Sequence, residues 1–329
     1  MTEQLENDYD VVVAGGGAAG LNGALMLARS RRTVVVIDAG APRNAPADGV
    51  HGLLGHDGRP PAELLALGRE EVRRYGGQVV SGEITTATRT EDGFTIGLAD
   101  GRTVRARRLL VTTGLTDELP DIAGLRERWG RDVVHCPYCH GWEVRDRAIG
   151  VLNTGPMSMH QVQLFRQLSD DVVFFTHTGP ELGPDELERL AARGIRVVTG
   201  KVTTVEAGGA GITGLRLADG TVVPREIVAT GTRMVARAGF LDDLGLPAVD
   251  HPAGVGRYIP ADATGRTEVP GVWAAGNVTE LTAQVGASAA AGAMAGAQIN
   301  ADLVDEEVQK AVADRASRSA NVEQVTLPG

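Results

Sequence analysis
Tyr9-Asp10-Val11-Val12-Val13-Ala14-Gly15-Gly16-Gly17-Ala18-Ala19-Gly20 reads as a strand running straight into a glycine turn. The β-branched run suits a buried parallel strand. A helix over Leu21–Arg29 follows, then a second strand over Thr33–Ile37 that ends at Asp38. Gly15 permits the tight turn, Gly17 lets the backbone approach a pyrophosphate, and Gly20 lets helix and strand pack closely. The helix N-terminus offers free N–H groups to phosphates, and Asp38 can accept hydrogen bonds from a ribose 2′-OH. A lone glycine triplet is a weak signal, but strand, turn, helix, strand and acid together are a strong one. The alternative is a glycine-rich turn without a ligand.

With 329 residues the chain is long enough for two domains with proper cores. Its 32 Lys and Arg against 42 Asp and Glu leave a net charge of −10, which disfavours nucleic acid and anionic membranes as partners. No apolar run reaches the ~20 residues of a membrane span. Met1–Asp10 is polar and acidic, unlike a signal peptide, so a cytoplasmic protein is expected. The 44 glycines and few aromatics suit many tight turns around a nucleotide.

Gly40–Pro61 is irregular, and a loop of that length is usually functional. Arg43 and Asn44 are expected on the adenosine side of a cofactor. His51 and His56 either approach the cofactor ring or sit in a solvated loop, the second being the plainer reading. A helix is expected over Ala62–Tyr75, and strands over Gln78–Ser81, Phe94–Leu98, Thr103–Ala106 and Arg107–Thr113, the last ending at Gly114.

The only two cysteines lie in His135-Cys136-Pro137-Tyr138-Cys139-His140-Gly141-Trp142. A disulfide across so small a loop adds little by restraining the unfolded chain. Such pairs serve redox exchange, and flanking histidines lower a cysteine's pKa. Three alternatives compete: half a zinc site, which lacks a second cysteine pair, two isolated buried cysteines, and a strained structural bridge. Redox chemistry is the preferred reading.

Beyond this motif the strand–turn–helix–strand plan repeats, with strand Ala148–Leu152, turn Asn153–Ser158, helix Met159–Leu168 and strand Val172–Thr176. Asn153 stands at the first glycine position, and Pro156 has no N–H to give a phosphate. Thr176–Glu181 holds no Arg or Lys for a 2′-phosphate, the next basic residue being Arg189. The fold is expected to survive with nicotinamide binding weakened or lost, the alternative being an unorthodox NAD(P)H site. A helix over Pro184–Arg193 and a meander to Val223 follow. Val269–Asn277 then forms a strand and small-residue turn, with Asn277 reaching a ribityl chain. A helix rich in Ala and Gly is expected from Gln284 to about Leu303, then a fraying helix and tail.

Gly15–Gly20 with Asp38, Thr112-Thr113-Gly114, Cys136–Cys139 and Ala274-Ala275-Gly276-Asn277 together resemble the low-molecular-weight thioredoxin reductases. The resemblance covers nearly the whole chain. It implies an α/β fold of two Rossmann-like dinucleotide-binding domains and a homodimer. FAD would sit in a split domain, 1–116 and 245–312. An inserted NAD(P)H-like domain, 117–244, would carry the cysteines, and 313–329 would be a polar tail. The departures are His140 for Asp, Asn277 for Asp, and the altered nicotinamide site. They make the chain resemble more closely the dithiol oxidases that close disulfides in gliotoxin- and holomycin-type metabolites and pass electrons from flavin to molecular oxygen.

That resemblance implies a small-molecule dithiol as substrate and hydrogen peroxide as product. Cys136 would meet the substrate thiolate and Cys139 would face the flavin. His140 would be the acid/base, with His135 sharing that duty or lowering a cysteine pKa. The FAD contacts expected are Gly15, Gly17, Ala18, Ala19, Gly20, Asp38, Ala39, Arg43, Asn44, His51, Ile84, Thr113, Gly114, Gly276, Asn277, Gln284 and Val285. Two rival functions are an NAD(P)H-dependent disulfide reductase of thioredoxin type and a non-catalytic flavin redox sensor.

Overall fold
The computed structural model describes residues 5–325. Strand β1 (Asp8–Ala14), helix α1 (Ala18–Arg29), strand β2 (Val34–Asp38), helix α2 (Pro61–Arg74) and strands β3 (Gln78–Ser81), β4 (Ile84–Thr90), β5 (Gly93–Leu98) and β6 (Thr103–Val111) open the chain. Strand β7 (Leu115–Glu118) leads to β8 (Val133–Val134), helix α3 (Pro137–His140), β9 (Ile149–Leu152), α4 (Ser158–Leu168), β10 (Val172–Phe175), α5 (Pro184–Ala192), β11 (Arg196–Val198), β12 (Val202–Gly208), β13 (Gly211–Leu217), β14 (Val222–Val223) and β15 (Ile227–Thr230). Strand β16 (Arg233–Ala236) leads back to β17 (Val249–Asp250), β18 (Gly256–Tyr258), β19 (Val272–Ala274) and helix α6 (Val285–Val325).

The first sheet runs β3-β2-β1-β6-β5-β4, with β19 also on β6. Its β3, β2, β1, β6 and β19 pair in parallel, which is what buried Val- and Leu-rich strands require. On one face lie α1, α2 and α6 over Val11, Val13, Leu110 and Trp273. Helices α1 and α6 cross at glycines, where a methyl on Gly296 would stand 2.6 Å from the Gly23 carbonyl oxygen. Sequence reading split β6 at Arg107, but it is one strand. Its two mid-strand arginines are taken up by acids, Arg107 by Asp10 at 2.8 Å and Arg108 by Asp302 at 2.7 Å. Strand β4, Ile-Thr-Thr-Ala-Thr-Arg-Thr, was not anticipated, because an edge strand keeps most of its side chains in water.

The second sheet, β11-β10-β9-β15-β8, is wholly parallel. Helices α4 and α5 cover one face through Val162, Phe165 and Leu190. The antiparallel β12-β13-β14 covers the other through Val205, Ile212 and Leu215. The chain passes between the two sheets on β7 and β16, which pair antiparallel, Leu115 opposite Ala236. Ala238 and Leu241 already pack with Tyr9 and Phe94. The return to the first core therefore precedes residue 245, the boundary expected from sequence, because β16 is itself the crossing strand.

Helix α6 also outruns its expected end near Leu303, and 313–325 is helix rather than tail. No Gly or Pro interrupts residues 297–325. Glu306 and Glu307 are held by Arg107, at 2.9 and 3.0 Å. Residues 326–329 lie outside the described part.

Candidate functional site
One cavity of about 1940 Å³ runs from the end of β1 to the cysteine pair. At one end is the glycine turn. Gly15 has φ +103°, and a Cβ there would stand 2.6 Å from the Thr112 carbonyl oxygen, so only glycine fits. A Cβ on Gly20 would drive into the Gly15 carbonyl oxygen, so Gly20 is a packing residue beneath the turn and does not line the cavity. Gly17 faces open space, and no side chain caps the N-terminus of α1. Bare N–H groups at a helix start form an anion cradle, and this one opens on the cavity.

All the other residues expected to contact FAD line this cavity: Gly15, Gly17, Ala18, Ala19, Asp38, Ala39, Arg43, Asn44, His51, Ile84, Thr113, Gly114, Gly276, Asn277, Gln284 and Val285. Asp38 accepts from Gly40 N–H at 3.2 Å and Arg69 at 3.0 Å, which fixes its carboxylate beside Gly16. The residues present thus fit a dinucleotide at this end. Several polar groups are already spent. Asn277 Nδ2 donates to the carbonyls of Glu280, Leu281 and Ala283, so only its Oδ1 is left to meet a ribityl hydroxyl. Thr113 Oγ1 donates to the Arg237 carbonyl at 2.6 Å.

At the other end, β8 delivers His135 and Cys136, and Cys136 opens α3. Cys136 and Cys139 form a disulfide with Cα atoms 5.2 Å apart. Gly141 closes the turn where a side chain would collide with Pro137 and Leu168. When the pair is reduced, the neighbouring Cys139 sulfur holds the Cys136 thiol down to about 7, against the effect of burial, and the N–H groups of Cys139 and Tyr138 and the Arg43 charge add to this. The Cys139 thiol is pushed up by the Cys136 sulfur and by burial. Of the reduced pair, Cys136 is thereby the more readily ionised thiol.

His135, His140, Cys136 and Cys139 all line the cavity. Burial lowers the pKa of both histidines, so each is neutral near pH 7. Tyr138 and Trp142 project outward, 67% and 66% exposed. Arg145 lies 4.1 Å over the Trp142 ring.

Arg43, expected on the adenosine side, is engaged by Asp117. Its Nε and Nη2 donate to Asp117 at 2.6 and 2.7 Å, which turns the guanidinium toward the cysteines. Thr232 Oγ1 donates to the same carboxylate at 2.6 Å. Burial works against the Asp117 carboxylate, but the Arg43 hydrogen bonds outweigh it and keep its pKa below the usual range. His51, which lines the cavity, stands 3.4 Å from Asp57 and 3.3 Å from Glu143. His56 accepts from Arg59 at 3.2 Å within its own loop. No sequence signal marked Asp117 or Thr232, since an Asp in a short strand has no periodic signature.

At the second turn, Ser158 Oγ accepts from the N–H groups of Thr154 and Gly155, at 3.1 and 3.3 Å. Two N–H groups of the turn are thus engaged within it. Asn153 is buried, its Nδ2 donating to the Pro180 carbonyl. One basic residue that sequence reading missed does approach: Lys201 lies near enough to His177 to add to the lowering of its pKa by burial.

The chain is 45% identical to a protein whose solved structure is named HlmI, over 97% of this chain and 100% of that one, with a TM-score of 0.88. An oxidoreductase from Agrobacterium tumefaciens is 36% identical over 90% and 99%, with a TM-score of 0.84. Among curated proteins, thioredoxin reductase tcpT of Claviceps purpurea is 34% identical over 73% of this chain and 78% of its own length. Thioredoxin reductase sirT of Leptosphaeria maculans is 28% identical over 84% and 89%. Residues 9–297 match the family model described as pyridine nucleotide-disulphide oxidoreductase. The chain belongs to the pyridine nucleotide-disulphide oxidoreductase family, on a thioredoxin reductase-like fold.

Proposed function
We propose that this FAD-binding oxidoreductase is a dithiol oxidase that closes a disulfide in a small-molecule dithiol and uses molecular oxygen as the final acceptor. The observation that carries the reading is one cavity holding both the glycine turn and the Cys136–Cys139 disulfide. FAD, when bound, supplies the acceptor for the electron pair that leaves the thiols, and oxygen then takes it as hydrogen peroxide.

The chain's own residues account for the thiol exchange. A substrate thiolate attacks Cys136 Sγ, the Cys136–Cys139 bond breaks, and Cys139 leaves as thiolate. The second substrate thiolate attacks the mixed disulfide, closes the product and frees Cys136. A neutral histidine beside the pair takes the proton that each thiol must lose. The exposed ring of Tyr138, which lines the cavity together with Cys136, gives a compact apolar substrate a surface. The cofactor residues named above hold FAD in the split unit, and the unit between β7 and β16 presents the cysteines. A cytoplasmic homodimer is part of the same proposal and rests on the resemblance. Among the described residues no helix is long and apolar enough to cross a membrane.

The engaged N–H groups at Ser158 support oxygen rather than a nicotinamide as the redox partner. The second reading, an NAD(P)H-dependent disulfide reductase, is favoured by Lys201 beside His177. Turnover in air with dithiothreitol separates them. The oxidase forms one peroxide per disulfide with no NADPH present. Disulfide reduction that requires NADPH, with no peroxide from dithiothreitol alone, would establish the reductase.

A further inference from the structure
His135 and His140 flank the cysteine pair, yet their ring nitrogens stand in opposite situations. Both nitrogens of His140 are enclosed and have no hydrogen-bond partner. His135 Nδ1 lies 3.0 Å from the Thr230 carbonyl oxygen at the end of β15, and Thr230 is fully buried. A carbonyl only accepts, so Nδ1 carries the hydrogen and Nε2 the lone pair. The main chain of His135 is held as well: Gln161 Nε2 on α4 donates to the His135 carbonyl at 2.6 Å. Gln161 is itself only 7% exposed, and its Oε1 has no partner, so this is its one side-chain hydrogen bond among the described residues. His135 Nε2 is not among the enclosed nitrogens, and its ring lines the cavity next to Cys136.

We propose that His135, fixed as the Nδ1–H tautomer by the Thr230 carbonyl, is the base that takes the proton from the incoming thiol, with Gln161, which holds its main chain, as its positioning residue. The proposal rests on the dithiol oxidase reading. The substrate S–H bond breaks and its proton goes to His135 Nε2. The thiolate bonds to Cys136 Sγ as the Cys136–Cys139 bond breaks, and that electron pair stays on the Cys139 sulfur. The imidazolium then releases its proton to solvent. His140, its nitrogens enclosed, takes no part in this transfer. The charged and titratable groups bearing on His135 are Asp117, which favours the imidazolium, Arg43, which opposes it, His140, and the two cysteines once reduced.

The test is anaerobic reduction of the holoenzyme by dithiothreitol from pH 5 to 10, read in two ways. Stopped-flow absorbance follows flavin bleaching, and quenched alkylation with mass spectrometry counts opened Cys136–Cys139 disulfides. The wild-type rate falls on the acid side as His135 gains a proton. His135→Gln and His135→Asn each slow disulfide opening about 100-fold at pH 7 and lose the acid limb. Both recover above about pH 9, where thiols ionise unaided. His135→Asn keeps a donor for the Thr230 carbonyl, so a loss shared by both variants is not a folding defect. Gln161→Met, of similar volume, slows opening about tenfold and displaces the limb, and His140→Gln keeps it. An acid limb that persists in both His135 variants, or vanishes in His140→Gln, overturns the proposal. A wild-type profile in Gln161→Met overturns its positioning part. Wild-type disulfide and flavin that both resist dithiothreitol would sink the oxidase reading itself, and this proposal with it.

Discussion

Arg43 and Asp117 form a two-pronged ion pair, Nε to Oδ2 at 2.6 Å and Nη2 to Oδ1 at 2.7 Å, that ties the loop after β2 to the strand leading toward the cysteines. Asp117 is 6% exposed and Arg43 27%, so removing the arginine strands a buried carboxylate. Arg43→Ala is expected to cost about 3 kcal/mol at pH 7, measured by urea unfolding. Because Asp117 has a depressed pKa in the fold, the pair's contribution is present above its unfolded value of ~3.9 and is lost as pH falls through the folded one. The gap between wild type and variant therefore narrows in acid. A gap that stays constant down to pH 3 would contradict the pairing.

The glycine turn makes opposite demands at neighbouring positions. Gly20→Ala collides with the Gly15 carbonyl, so the variant is expected to lose bound flavin and several degrees of thermal stability. Gly17→Ala meets no protein atom within 4 Å and places its methyl in the cavity. It is expected to keep its melting temperature to within about 2 °C without cofactor, while flavin affinity falls about tenfold. Flavin absorbance per chain and apoprotein melting curves check both.

Much of the fold was legible in the sequence because its signals are local. Val11–Val13 before Gly15, and Ile149–Leu152 before Asn153, announce two parallel sheets without tertiary information. What escaped depends on partners distant in sequence. Nothing around Arg107-Arg108 shows that Asp10 and Glu306 will take up their charges and let β6 run unbroken. Arg43 follows Asp38 closely enough to suggest the adenosine side, yet Asp117, 74 residues away, captures it. The cysteines and histidines of the site were legible, but not their division of labour. That is set by Thr230 and Gln161, which reach His135 from elements 95 and 26 residues on.

In the reduced enzyme the two thiols differ sharply, with Cys136 held down to about 7 and Cys139 pushed up. Iodoacetamide at pH 7 is expected to label Cys136 about tenfold faster than an ordinary cysteine, since half of it is thiolate against a few per cent. Cys139 labels more slowly than an ordinary cysteine. Peptide mapping after short exposures reads this directly, and equal labelling of the two would contradict the assignment of Cys136 as the more ionised thiol.

His135 and His140 bind protons less readily in the fold than in the unfolded chain, because burial lowers both pKa values. Depressed histidines contribute stability above the unfolded value of ~6.5, and that contribution is lost as pH falls through ~6.5 toward the folded values. The urea midpoint is thus expected to drop between pH 7.5 and 5.5. His140→Leu, which removes one of the titrating rings, should flatten that slope, and an unchanged slope would place the pH dependence elsewhere.

Ser158 keeps the Thr154 and Gly155 N–H groups engaged. NADPH added to the oxidised holoenzyme without oxygen is expected to leave the flavin band intact over minutes. Rapid bleaching would show that the turn rearranges to accept the nucleotide.

The most direct measurement of the central claim is the flavin spectrum of wild type and Cys139→Ser under anaerobic addition of one equivalent of a dithiol. If electrons travel from substrate through the Cys136–Cys139 pair to FAD, wild type bleaches, while Cys139→Ser, which has no disulfide for the substrate thiolate to open, stays yellow. Bleaching of Cys139→Ser at the wild-type rate would show that the cysteine pair is not on the path.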